Sequence, residues 1–198
     1  MTFDEIPDTV FFILYFFISP LFFSKLNIEL LRKINLERNP SFDDGLRKLT
    51  NSITYTDIGT PAILFTVASI RHDSVGKRNA VYVGSSLLLS AAISGILKKT
   101  VKEARPFVTY PEIQKLTKAG SESFPSGHTT DAFSLATSLT IAYPKWYVAV
   151  PAYTYASAIG YSRMHLGVHY PGDVLAGAII GSGTAFLTHK INYWLAQK

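Results

Sequence analysis

Long uncharged stretches alternate along this chain with short segments in which charged side chains are crowded together. Residues 9–24, 80–97, 146–162 and 174–189 contain no Lys, Arg, Asp or Glu. A helix needs about 20 mainly apolar residues to cross the hydrocarbon layer of a membrane, and charges collect in the connecting loops. The pattern is therefore typical of a multi-span membrane protein, although the hydrophobic fraction of 47% is ordinary for a globular one.

The apolar stretches predict an all-α, integral membrane bundle of about six transmembrane helices. The predicted spans are residues 10–23, 53–70, 80–97, 129–143, 146–161 and 174–194. Two of the apolar runs, 58–70 and 132–144, are short for a span, so a soluble helical bundle is an alternative.

Between the first two predicted spans, residues 25–39 combine regularly spaced apolar side chains with six charged ones. This spacing predicts an amphipathic helix lying at the membrane interface. A solvated helix packed on the protein's own surface would have the same pattern. Residues 39–45 and 71–79 are predicted as turns.

The chain is basic, with a net charge of +5 and a pI near 9.3. Such a charge suits anionic lipid head groups or phosphorylated substrates. A nucleic-acid partner is not expected, because the sequence has no zinc-ligand spacing, no RNA-binding aromatic signature and no basic helix. The absence of cysteine excludes disulfides, thiolate catalysis and cysteine-bound metals.

A compact polar segment, residues 162–173, separates the last two predicted spans. If a helix begins near Pro171, Asp173 lies in its first turn and His169 just before it. The carboxylate can then accept the proton of one imidazole nitrogen and leave the other as a nucleophile. Arg163 offers a planar fork of donors suited to phosphate oxygens. The plainer alternative is an ordinary acidic residue at a helix start beside a polar loop histidine.

A second polar motif, Pro125-Ser126-Gly127-His128, leads directly into the fourth predicted span. The amides of Ser126, Gly127 and His128 can point at an anion, and the helix dipole adds partial positive charge. His128 is placed to give a proton to a leaving oxygen. Taken alone, the motif also fits a simple helix cap.

Two cations, Lys98 and Arg105, follow the third predicted span, where basic residues are often only membrane-edge anchors. In chain order the three motifs are Lys, six residues, Arg-Pro; Pro-Ser-Gly-His; and Ser-Arg, five residues, His, three residues, Asp. This order and spacing closely resemble the type 2 phosphatidic acid phosphatase superfamily, which includes bacterial acid phosphatases and vanadium haloperoxidases. The predicted helices on either side agree with the membrane-embedded lipid phosphatases of that family.

The length of 198 residues fits a single domain, 1–198, and the resemblance implies a catalytic core at about 80–190. His169 would attack phosphorus and form a phosphohistidine, with Asp173 orienting it. His128 would protonate the leaving group and then activate the hydrolytic water. The residues that would hold the phosphate are Lys98, Arg105, Ser126, Gly127 and Arg163. No cofactor or metal is expected, because fixed cations take the place of Mg²⁺.

The function expected from the resemblance is hydrolysis of a lipid phosphomonoester or pyrophosphate. Candidate substrates are undecaprenyl pyrophosphate, phosphatidylglycerol phosphate, phosphatidic acid and the phosphates of lipid A. The expected partners are this lipid and the surrounding membrane lipids, without an obligate protein partner. The resemblance places the protein in a bacterial inner (cytoplasmic) membrane, with the site facing the periplasm or exterior. The higher density of Lys and Arg in the loops on the catalytic side favours the opposite orientation, although three of these charges belong to the site.

Two other functions fit parts of the pattern. A haloperoxidase would hold vanadate in the same pocket, but the short chain and the apolar spans count against it. A non-catalytic protein that binds or transports lipid phosphates would need the cations but not a nucleophile and an acid. The intact set of His128, His169 and Asp173 therefore favours an enzyme, and His165 is expected to support the site rather than touch substrate.

Overall fold

The computed structural model describes residues 20–120 and 122–195, and within them it contains helices and loops but no strand. The elements are α1 (Pro20–Leu36), a 3-10 turn (Pro40–Phe42), α2 (Asp43–Asn51), α3 (Ile53–Ile70), α4 (Ser74–Val101), α5 (Pro106–Thr109), α6 (Gly127–Ala142), α7 (Trp146–His165) and α8 (Pro171–Leu195). The predicted all-α class is confirmed for this part of the chain. The predicted span 10–23 lies outside the described residues except at its C-terminal end.

Each of the last five predicted spans, beginning with 53–70, coincides with one helix. In chain order these helices are α3, α4, α6, α7 and α8. Three helical stretches are long and apolar enough to cross a membrane: Pro40–Ile70, Ser74–Thr109 and Pro171–Trp194. Helix α6 has 16 residues, fewer than the roughly 20 that a membrane crossing usually takes. Six spans therefore remain a prediction, three of which these stretches support.

Two of the predicted turns are partly helical, and the turn prediction is wrong for residues 43–45 and 74–79. Asp43 and Asp44 occupy the first turn of α2, where carboxylates complement the positive end of the helix dipole. Asp73 caps α4, because its side chain accepts hydrogen bonds of 3.0 Å from the amides of Val75 and Gly76.

Helix α6 occupies the centre of the bundle and lies against α4, α7 and α8. Its contact with α8 requires a glycine, because a Cβ on Gly181 would lie 2.1 Å from the carbonyl oxygen of Thr130. Small residues let helix backbones approach closely in membrane proteins. The close packing fixes the N-terminus of α6, at Gly127, against the start of α8.

Helix α1 contacts the rest of the protein through a face that only partly matches the predicted apolar series Leu26, Leu30, Leu31 and Ile34. Ile28 and Leu31 are buried against Ile113 and Tyr170, and the neighbouring Leu30 is exposed. This is the packing expected for a helix on the protein's own surface. A position at the membrane interface remains a prediction.

Candidate active site

The loop between α7 and α8 carries a buried histidine and a carboxylate that face each other. His169 is 2% exposed, and its Nδ1 atom lies 3.2 Å from Oδ2 of Asp173. Helix α8 begins at Pro171, as the sequence predicted, so Asp173 falls in its first turn. The four-residue spacing within one chain segment is what brings the two side chains together.

The other ring nitrogen of His169 faces a guanidinium. Nη1 of Arg105 lies 3.1 Å from Nε2 of His169. A guanidinium can only donate, so Nε2 holds the lone pair, and Nδ1 carries the proton that is donated to Asp173. Burial lowers the pKa of His169 to about 4, although Asp173 acts in the opposite direction. The imidazole is therefore neutral at pH 7, with its lone pair on Nε2.

Asp173 is held by two further donors besides His169. The hydroxyl of Ser123 donates to its Oδ2 at 2.5 Å, and the amide of Tyr170 donates to the same oxygen at 3.0 Å. Ser123 is fully buried and was not among the predicted site residues. Its position two residues before the second motif, which begins at Pro125, was the available signal. These bonds fix the carboxylate that orients His169.

Two arginines lie in the same region, and both are buried. Arg105 donates from Nε to the carbonyl oxygen of Gly120 at 3.0 Å and from Nη1 to that of Val168 at 2.7 Å. Arg163 donates from Nη1 to the hydroxyl of Thr50 at 3.0 Å. Backbone and hydroxyl acceptors orient both guanidinium groups without neutralising them.

Lys98 holds the loop that carries the second motif. Its ammonium lies 2.6 Å from the carbonyl oxygen of Pro125, 3.2 Å from that of Glu122 and 3.3 Å from that of Ser123. An ammonium has three donors, and all three are within reach of carbonyls here. Lys98 thus supplies positive charge and fixes the loop, and its direct contact with a phosphate remains a prediction.

The N-terminus of α6 presents only part of the anion site that the sequence predicted. The amide of Ser126 donates to the carbonyl oxygen of Asp173 at 3.1 Å, so it does not face a ligand. The hydroxyl of Ser126 pairs with that of Thr129 at 2.8 Å. The next amides, those of Gly127 and His128, stand in the first turn of α6 and have no acceptor within the helix. They are suited to bind an anion.

His128 is half-buried at the second position of α6 and interacts electrostatically with four basic side chains of the site. Its pKa is lowered to about 3, first by burial and then by the positive charges around it. At pH 7 those charges belong to Arg163, Arg105 and Lys98, and His169 adds to them only when it is protonated. The structure therefore brings the three motifs into one cationic pocket, with His128 on its more exposed side.

His165 supports the site from behind, as the sequence predicted. Its Nε2 atom lies 2.8 Å from Oδ1 of Asp43, which also accepts from Nε of Arg38 at 3.1 Å. Asp43 is far along the chain from the third motif, yet in space it is next to it. These contacts anchor α2 against the end of α7.

No group of three or more His, Asp or Glu side chains within residues 20–120 and 122–195 is arranged to hold a metal ion. The carboxylate of Asp173 is occupied by the three donors described above.

Comparisons with known proteins point to one family. The family model of the PAP2 superfamily matches residues 79–197. The chain is 26% identical to the lipid A 4′-phosphatase of Bacteroides thetaiotaomicron, over 89% of this chain and 81% of the relative. It is 30% identical to the undecaprenyl-diphosphatase of Sulfolobus acidocaldarius, over 83% of this chain and 78% of the relative. The crystal structure of Aquifex aeolicus LpxE superposes with a TM-score of 0.74 at 30% identity, covering 83% of this chain and 95% of that one.

Proposed function

The chain belongs to the PAP2 superfamily, and on this basis we propose that it is an integral membrane phosphatase that hydrolyses a phosphomonoester or pyrophosphate of a lipid. The whole chain, 1–198, would form one membrane-embedded domain with its catalytic core at about 80–190. The observation that carries the proposal is the state of His169. One ring nitrogen donates to Asp173, and the other holds a lone pair inside a cationic pocket.

In the first step, Nε2 of His169 attacks phosphorus. A nitrogen–phosphorus bond forms while the bond from phosphorus to the leaving oxygen breaks, and the imidazole becomes positively charged. Asp173 stabilises this charge through its contact with Nδ1. In the second step, water attacks phosphorus, the nitrogen–phosphorus bond breaks, and phosphate leaves.

His128 would carry the proton in both steps. It gives a proton to the leaving oxygen and later takes one from the attacking water. Burial, and after it the surrounding cations, keep His128 neutral in the free enzyme, where its pKa is about 3. The negative charge of a bound phosphate offsets those cations and favours the imidazolium. Substrate binding would thus favour the protonated form of His128, which acts as the general acid.

The charge that develops on the phosphoryl oxygens would be stabilised by fixed groups. Arg105 and Arg163 supply buried guanidinium charge, and the Gly127 amide and Lys98 lie at the same end of the bundle. Preorganised donors in a site with little water are the largest contribution to many phosphoryl transfers. Ser126 would contribute through its position at the start of α6 rather than through its amide.

The lipid would reach the pocket from the bilayer. The two relatives compared above are named for lipid A and undecaprenyl diphosphate. These two lipids, phosphatidylglycerol phosphate and phosphatidic acid are the candidate substrates. We place six helices across the cytoplasmic membrane, α1 at the interface, and the pocket on the periplasmic or external side.

The function is tested by phosphate release from detergent-purified protein, in EDTA, across these lipid phosphates and pyrophosphates. We expect release that is lost in His169→Ala, with the variant still folded. Release that persists in the variant would contradict the phosphohistidine step. No release from any lipid by the wild-type protein would contradict the function itself.

The orientation is tested in this cysteine-free chain with single introduced cysteines. Lys118→Cys lies in the exposed loop beside the pocket, and Lys145→Cys lies between α6 and α7 at the other end of the bundle. An impermeant maleimide should label the first in intact cells and the second only after permeabilisation. The reverse pattern would place the pocket in the cytoplasm.

A further inference from the structure

A threonine outside the residues that match the family model holds one arginine of the pocket. Thr50, in the last turn of α2, is 0% exposed, and its hydroxyl accepts the 3.0 Å hydrogen bond from Nη1 of Arg163. The two residues are 113 positions apart in the chain. The contact therefore depends on how α2 packs against α7 and not on any local motif.

Arg163 is unusually free of partners for a buried cation. It is 2% exposed, its Nε atom has no hydrogen-bond partner, and it forms no ion pair with any residue of the described part of the chain. A buried charge is costly unless it is paired and hydrogen-bonded. The unpaired state of Arg163 is the state expected of a group kept ready for an anion.

Arg163 keeps its charge unneutralised because the side chain that it contacts, Thr50, offers a hydroxyl and not a carboxylate. A carboxylate opposite Arg163 would orient the guanidinium but would also neutralise it and compete with phosphate. A hydroxyl accepts one N–H bond and leaves both the positive charge and the remaining donors available. We propose that Thr50 is a positioning residue, which orients Arg163 toward the phosphate of the substrate. This inference rests on the proposed function of the pocket.

The placement of Thr50 does not depend on its own hydroxyl. Helix α2 is also anchored to the end of α7 by the contact of Asp43 with His165. Arg47 adds a second anchor by donating to the carbonyl oxygen of Leu116 at 2.9 Å. Replacing the hydroxyl with a methyl group should therefore leave the helix in place.

The test compares Thr50→Val, which removes the hydroxyl at nearly constant shape, with Thr50→Ser, which keeps it. The control is Thr184→Val, a buried threonine of α8 whose hydroxyl donates to the backbone oxygen of Gly181 in its own helix. The measurements are the Kd of inorganic phosphate, the kcat and KM for a lipid phosphate, and the Tm.

We expect Thr50→Val to weaken phosphate binding and to lower kcat/KM by about tenfold, because a hydrogen bond to a charged group is lost. Thr50→Ser should restore both values, and Thr184→Val should change neither. In an Arg163→Ala background, Thr50→Val should have no further effect on phosphate binding, since the two residues act as one unit.

Wild-type phosphate affinity in Thr50→Val, or an effect that persists in Arg163→Ala, would overturn the proposal. If Thr50→Val does not fold, Thr50→Ala takes its place in the same comparisons. A wild-type protein that binds phosphate but releases none from lipids contradicts the proposed function, and the Kd values still decide the role of Thr50. A wild-type protein that neither binds phosphate nor releases it from lipids overturns both, and if it releases phosphate without measurable binding, the kcat/KM values of the same variants decide the role of Thr50.

Discussion

Arg105 and His169 face each other across the pocket, with 3.1 Å between Nη1 of the guanidinium and Nε2 of the imidazole. The donor covers the lone pair that the proposed reaction uses. A phosphate oxygen entering the pocket competes for the same donor, because a charged acceptor makes the stronger hydrogen bond. Phosphate binding would thus draw Arg105 to the substrate and release Nε2 for attack on the same phosphorus.

Replacing Arg105 with lysine tests this relationship. Arg105→Lys keeps the charge but loses the planar guanidinium, whose Nη1 reaches Val168 and His169 while its Nε donates to Gly120. We expect kcat for a lipid phosphate to fall by about 100-fold, the cost of removing one preorganised donor from a charged transition state. The control is Arg71→Lys, an exposed arginine at the end of α3. A kcat equal to that of the control would show that the fork geometry does not organise the site.

The two site histidines should stay neutral across the physiological pH range. Their pKa values, about 4 for His169 and about 3 for His128, lie below the ordinary 6.5. The folded protein therefore binds fewer protons than the unfolded chain as the pH falls, and stability present above pH 6.5 is lost down to about pH 4 for His169 and about pH 3 for His128. NMR of the imidazole Cε1–H groups, assigned with His169→Ala and His128→Ala, should show no titration of either between pH 5 and 8. A midpoint near 6.5 would contradict the burial argument.

Local patterns were enough to predict much of this site. His169 and Asp173 are four residues apart and flank a helix start, so a single-segment rule places them in contact. Rules of this kind do not predict contacts between segments that are distant along the chain. The sequence does not indicate that Thr50 meets Arg163, since nothing near either residue encodes how α2 lies on α7. The Ser126 amide was predicted to face a ligand, but the carbonyl of Asp173 from another helix takes it.

The same limit applies to the elements of the fold. Apolar length located α3 and α8, because a long uncharged run has few alternatives to a helix. Apolar length did not locate α2, because the first residues of this helix have the composition of a turn. Its acidic residues, Asp43 and Asp44, complement the helix dipole in the first turn. Which helices cross the membrane depends on the bilayer as well as on sequence, and length and composition support three.

Removing the Ser123 hydroxyl should weaken both the fold and the reaction. Ser123→Ala deletes the 2.5 Å bond to Asp173, and we expect a loss of about 1.5–3 kcal/mol in the free energy of unfolding. Because Asp173 would then orient His169 less firmly, kcat should also fall. Ser138→Ala is the control, a fully buried serine of α6 that donates to the backbone of its own helix. Comparable losses of kcat in the two variants would show that Ser123 has only a structural role.

The close approach of α6 and α8 predicts a contrast between two glycines of one helix. A Cβ on Gly181 would lie 2.1 Å from the carbonyl oxygen of Thr130, whereas a Cβ on Gly183 meets nothing within 4 Å. Gly181→Ala must therefore push the helices apart, at a cost of about 1–3 kcal/mol. Gly183→Ala should be neutral or should stabilise slightly, because alanine is the better helix former. Thermal unfolding in detergent measures both.

The same pair connects the packing of the helices to the chemistry. Helix α8 carries Asp173 in its first turn, and the amide of Ser126 at the start of α6 donates to the backbone of Asp173. A shift of α8 away from α6 would move the carboxylate relative to His169. We expect Gly181→Ala to lower kcat by more than the fraction of protein that its lower Tm leaves unfolded. Gly183→Ala should leave kcat unchanged. Equal stability and equal kcat in the two variants would contradict the proposed link between the contact at Gly181 and the geometry of the site.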